Sequence, residues 1–145
     1  MRIDVVERPA VKVACMRYTG LSGEPLGRFW RSTVVPWLAD YGVVDCPRYG
    51  VTLDPGQYDA CVELPPGLSL PDATETVIIG GTYAVTHFKG PGTYIGTAWD
   101  AFRRECQASH LPDASRPPFE HYPRGAYYDA RTGIFACELC LPVSA

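Results

Sequence analysis

Two short stretches decide the fold: Arg17-Tyr18-Thr19-Gly20 and, 70 positions further on, His87-Phe88-Lys89-Gly90. Each sets a basic residue before an aromatic ring, ends on glycine and closes a segment of strand character. Before the first, Val11, Val13 and Cys15 alternate with Lys12, Ala14 and Met16, the two-residue period of a half-buried strand. Before the second, Thr82 to Phe88 reads as a strand behind Gly80-Gly81. A helical pattern follows each. Leu26, Phe29, Trp30, Thr33, Val34, Trp37, Leu38 and Tyr41 recur at three-to-four spacing, and Ile95, Ala98, Trp99, Phe102 and Cys106 repeat that spacing within Tyr94 to Ser109. Short strands come after each helix. The first two are Tyr49 to Leu53 and Tyr58 to Leu64, about the turn Asp54-Pro55-Gly56; the last two are Phe119 to Tyr122 and Ile134 to Val143.

The order strand, helix, strand, strand therefore occurs twice. Ala60-Cys61-Val62-Glu63-Leu64 also resembles Ala136-Cys137-Glu138-Leu139. This predicts an α+β fold of two pseudo-two-fold-related β-α-β-β repeats, about residues 3–66 and 78–143, in a single domain over 1–145. Neither repeat covers its apolar face alone. Paired, they give one antiparallel sheet with both helices on one face and a central groove at the seam. Several local expectations accompany this plan. Ile3 to Tyr18 reads as one long strand interrupted at Pro9, and Pro65 to Glu75 as a polar connection. Ser22-Gly23-Glu24-Pro25 reads as a helix start. Pro36 predicts a kink or a shortened helix, because its ring meets the carbonyl of Ser32. Thr93 is a candidate N-cap.

Composition narrows the function. The chain has 145 residues, the size of one domain. Its 13 basic and 16 acidic residues leave a net charge of −3, which argues against direct nucleic-acid binding. No apolar run reaches the roughly 18 residues of a membrane span. Met1-Arg2-Ile3-Asp4 turns acidic at once, unlike a signal peptide, so the expected address is cytoplasmic. In that setting the six cysteines do not imply a disulfide framework. Cys137-Glu138-Leu139-Cys140 would put its thiols on opposite faces of a strand, unsuited to a dithiol or a metal. His87, His110 and His121 have no metal spacing, and His87 is expected to be solvated or capped. No metal and no cofactor is expected, and Gly80-Gly81 precedes a strand rather than the helix of a phosphate loop.

Val13-Ala14-Cys15-Met16-Arg17-Tyr18-Thr19-Gly20, Gly80-Gly81-Thr82-Tyr83-Ala84-Val85-Thr86-His87-Phe88-Lys89-Gly90-Pro91, Trp99 and Phe119-Glu120-His121-Tyr122 together resemble the GyrI-like small-molecule-binding family. The resemblance covers about residues 3 to 143. That family includes the bacterial gyrase-inhibitory protein and the effector-binding domains of AraC- and MerR-type multidrug regulators. The resemblance implies a groove lined by aromatics with one acid at its base, which falls here on Glu120. It implies guests that are hydrophobic, cationic or planar aromatic. Regulators of this kind carry a helix-turn-helix region ahead of the binding domain, and only about ten residues precede the first strand core here. The expectation is a stand-alone, monomeric binding module, with DNA gyrase or a regulator protein as a further partner.

Alternation puts Glu120 and Tyr122 on one face of their short strand and Phe119 and His121 on the other. A carboxylate among rings is poorly solvated, so its charged form is disfavoured until a cation arrives. Each ring face attracts a cation by about 0.5–2 kcal/mol. The ligand-binding candidates are Glu120, Trp99 and Tyr94 on the second helix, and Phe88 at its strand's end. Phe135, expected opposite Glu120 on the last strand, joins them with Trp30 from the first helix and Tyr122. The plain alternatives are core packing for the rings and an exposed strand position for Glu120. Some GyrI-like proteins hydrolyse strained rings of cyclopropane-bearing genotoxins, so the resemblance also allows a hydrolase. Glu120 would then be the general base and Tyr122 would steady the water or an oxyanion.

Overall fold

The alternating segments become strands in the computed structural model, which describes residues 1–21, 23–53 and 56–145. The elements are β1 (Asp4–Arg8), β2 (Val11–Thr19), α1 (Glu24–Phe29), a π-helical turn (Trp30–Val34), α2 (Val35–Asp40), β3 (Arg48–Thr52), β4 (Gln57–Val62) and β5 (Thr74–Ile78). They continue with β6 (Gly81–Gly90), a 3-10 turn (Gly92–Tyr94), α3 (Ile95–Gln107), β7 (Phe119–Tyr122), β8 (Tyr128–Asp129) and β9 (Ile134–Pro142). Ser22 of the expected helix start and Asp54-Pro55 of the expected turn lie outside the described residues.

The strands form one antiparallel sheet in the order β1-β6-β9-β7-β3-β4-β2-β5, with β8 added to β9. The order is palindromic when β1 is matched with β5, β6 with β2, β9 with β4 and β7 with β3. The pseudo-two-fold axis passes between β3 and β7, where Gly50 faces Glu120 and Arg48 faces Tyr122. This is the expected α+β arrangement, with both helices on one face.

Local differences have physical reasons. Ile3 to Tyr18 is not one strand. Pro9, which has no N–H to give a ladder, separates β1 from β2; β1 pairs with β6, while β2 pairs with β4 and β5 at the far end of the sheet. Part of the expected polar connection is β5, an edge strand whose first four residues are exposed. At Pro36 the helical run is divided rather than continuous. The turn before it widens to a π-helix over Trp30–Val34, and Pro36 sits in the first turn of α2, where a missing N–H costs little. Thr93 is not an N-cap: α3 is entered through the 3-10 turn with no side-chain cap.

Two apolar layers flank the sheet. On the helix side, Ala14, Ala60 and Val62 pack with Val34 and Leu38, and Ala84, Leu139 and Leu141 pack with Trp99 and Phe102. On the other side Ile78 and Val13, near one end of the sheet, share a cluster with Tyr83 and Val85, near the other. That contact requires the sheet to curl. Cys15 and Cys61 face each other across β2 and β4 with Cα atoms 4.2 Å apart and are disulfide-bonded, while Cys46, Cys106, Cys137 and Cys140 are buried free thiols. Cys137 and Cys140 point into opposite layers. Among the described residues, no helix is long and apolar enough to cross a membrane.

Candidate functional site

The site lies where the two halves meet, on the helix side of β3 and β7. Glu120 is only 8% exposed there. Three neutral donors hold its carboxylate, each at 3.1 Å: the Tyr58 and Tyr122 hydroxyls on Oε1 and the Trp99 indole N–H on Oε2. Tyr58 comes from β4, across β3, and its hydroxyl accepts the Trp30 indole N–H at 3.1 Å. A relay therefore runs from the first helix through Tyr58 to the acid. Gly50 makes it possible. A Cβ on this β3 residue would lie 1.7 Å from the Tyr58 hydroxyl oxygen and 2.9 Å from Glu120 Oε1. Only a residue without a side chain lets Tyr58 lie over β3 and reach β7.

No cation is bonded to this acid among the described residues. Burial pushes the Glu120 carboxyl above its usual range; the three hydrogen bonds pull the other way without overcoming it. Burial first, and the Glu120 charge second, drive the Tyr58 and Tyr122 hydroxyls well above the usual phenol range. The Cys137 thiol is raised for the same two reasons, which makes it a poor nucleophile.

From Tyr122, which bonds the acid, a row of rings extends both ways. Centroids lie 5.8 Å apart for Trp30 and Tyr122, 6.1 Å for Tyr122 and Phe135, and 5.5 Å for Phe135 and Phe88. The π-turn presents Trp30, its first residue, to this row. Arg48 adds a guanidinium whose Cζ is 5.7 Å from the Tyr122 centroid and 6.0 Å from that of Trp30. Two cavities, of about 200 and 80 Å³, lie elsewhere, and Glu120 lines neither. The larger lies between α3 and the end of β9, the smaller on the opposite face of the sheet.

The structure thus brings Glu120, Tyr122, Trp99, Trp30, Phe88 and Phe135 together. Tyr94 stands apart. It is 63% exposed in the 3-10 turn, and its ring pairs with none of these among the described residues. Phe135 arrives by a different register from the expected one: Leu139 is opposite Glu120, and Phe135 is opposite Gly90 and Tyr128. Three contributors were not foreseen: Tyr58, Gly50 and Arg48. Tyr58 had a signal, a polar-tipped ring on the same strand face as the apolar Ala60 and Val62. His87 is exposed, with its Nε2 4.0 Å from Glu138 Oε2.

Comparison with known proteins places this geometry. No curated protein matches the chain. The structure of the EcmrR C-terminal domain is similar over 99% of this chain and 97% of that one, at 12% identity and a TM-score of 0.72. The structure of SAV2435 bound to tetraphenylphosphonium is similar over 100% and 95%, at 13% identity and 0.64. A hydrolase from Listeria innocua is similar over 99% and 92%, at 13% identity and 0.59. At these identities the likeness is one of fold. The family model for the GyrI-like small molecule binding domain matches residues 1–144, and the chain belongs to the GyrI-like family.

Proposed function

We propose that the protein captures hydrophobic, planar aromatic compounds by parting the ring row beside Glu120 and stacking the guest on Trp30 and Tyr122. One observation carries this reading: a buried acid held only by neutral donors, beside a ring row in which Trp30, Tyr122 and Phe135 are only partly buried. Flat faces select for aromatic bulk. Tetraphenylphosphonium, a guest built of four phenyl rings, is bound to SAV2435, a protein of the same fold. Such capture serves drug or toxin sensing, sequestration or resistance, with gyrase or a regulator as the downstream partner in a sensing role. Titration with a flat neutral aromatic such as acridone, followed by tryptophan quenching, tests it. Saturable one-to-one binding is expected, weakened about tenfold by Tyr122→Ala. Binding that ignores Tyr122→Ala contradicts the reading.

A second reading is a hydrolase of strained electrophilic rings, favoured by the direction in which burial moves the Glu120 carboxyl, upward, as a general base requires. Glu120 would take a proton from water, with Tyr122 steadying it. Mass spectrometry of an excess of a cyclopropane electrophile decides. Many water adducts per protein, lost in Glu120→Gln, mean an enzyme. Stoichiometric depletion of free compound without a water adduct means a sink.

A further inference from the structure

We propose that Arg48 sets the charge of the guest: the groove takes a planar aromatic bearing an oxyanion, paired with the Arg48 guanidinium while its ring enters beside Trp30 and Tyr122. This rests on the capture reading and goes further, because it names the ligand class.

The position of Arg48 supports it. Arg48 opens β3, faces Tyr122 across the β3–β7 pair and lies on the same sheet face as Gly50 and Glu120. It is partly buried. Its guanidinium already covers the Trp30 and Tyr122 ring faces that a cationic guest would use. Burial pulls it below the ordinary guanidinium value, yet an arginine stays charged at neutral pH.

Among the described residues Arg48 has no carboxylate partner, a state it shares with Arg103, Arg104, Arg124 and Arg131, but of these it alone lies over both Trp30 and Tyr122. Arg8 lies 3.6 Å from Glu138, Arg17 2.8 Å from Asp59, and Arg116 3.2 Å from Asp113. Arg28 and Arg31 share Glu24. Among the described residues no carboxylate comes within 4.0 Å of Arg48. Glu120, on the same face, spends its acceptors on Tyr58, Tyr122 and Trp99 instead. A guanidinium offers five N–H donors in a planar fork, and a carboxylate or sulfonate meets two at once. A permanent cation would have to displace Arg48 from the rings and then sit beside a like charge. An aromatic oxyanion leaves Arg48 in place and adds a direct ion pair to the more distant charge of Asp45.

Three probes of one shape test this: 2-naphthoate, 2-naphthamide and 2-naphthyltrimethylammonium, titrated calorimetrically into wild type, Arg48→Met and Arg48→Lys. Wild type should bind the naphthoate about tenfold tighter than the amide, with the cation weakest. Arg48→Met should erase that preference while still binding the amide, and Arg48→Lys should restore part of it. An equal or inverted order in wild type overturns the proposal, and needs no variant to fold. So does a preference that survives Arg48→Met, or an equal loss of all three probes in that variant, which would make Arg48 a packing residue only. If none of the three binds folded wild type, the capture reading itself falls, and this proposal with it.

Discussion

Glu120 and Glu138 sit on neighbouring strands, on opposite sides of one sheet, and meet opposite company. Glu138 is hydrogen-bonded to the His121 ring at 2.6 Å and lies 3.6 Å from Arg8 and 4.0 Å from His87. The His121 bond first, and the surrounding positive groups with it, hold its carboxyl below the usual range. His121 is in turn stacked on Tyr49 at 4.9 Å. Glu120 meets hydroxyls and an indole, and burial raises it. An acid neutralised by the protein's own cations is a brace between strands. An acid held in place by neutral donors has no counter-charge bonded to it. The adjacent residues His121 and Glu120 show how a period of two lets one short strand serve both purposes.

The comparison breaks most severely at Gly50. Gly50→Ala should drive the Tyr58 hydroxyl off Glu120, cost about 3 kcal/mol in urea melts and abolish aromatic binding, leaving the Glu138 cluster intact. Charge removal sharpens the contrast through pH. Glu138 is depressed, so its contribution is present above the ordinary glutamate range and lost as pH falls through its folded value. Glu138→Gln should therefore cost about 1–3 kcal/mol near neutrality and less in acid. Glu120 is raised, so the sign reverses: its favourable contribution is present in acid and lost as pH rises through its folded value. Relative to wild type, Glu120→Gln should gain stability as pH rises, in melts at matched pH. The smallest effect belongs to Tyr58→Phe. It removes one donor to Glu120 and the acceptor for Trp30, costs about 1 kcal/mol, and moves the Glu120 carboxyl higher still in a carbon-13 titration.

Much of the fold was legible because period-two alternation and helical spacing are local signals, and they occur twice. The destinations of β1 and β5 were not, because an edge strand's partner depends on residues far along the chain. Pro36 announced a missing hydrogen bond but not that a π-turn would absorb it. At the site, alternation paired Glu120 with Tyr122, and motif order brought in Trp30 and Trp99. The register of Phe135 was hidden because it follows from how β9 slides past β6 and β7, which the intervening loop decides. Tyr94 falls outside α3 because that helix begins one residue later, and the 3-10 turn leaves its ring in solvent. Tyr58 and Gly50 act only together across β3, so neither stands out alone. Arg48 reads in sequence as an ordinary charged strand start.

The chain has three tryptophans, which permit one direct test. Trp30 and Trp99 donate their indole protons within the site, whereas Trp37, in the first helix layer, makes no hydrogen bond to a site residue among the described residues. In a nitrogen-15 NMR titration with a planar aromatic guest, the Trp30 and Trp99 indole signals should shift together and saturate while that of Trp37 stays put. If a bound guest leaves both signals unmoved, the rings beside Glu120 are core and the site lies elsewhere.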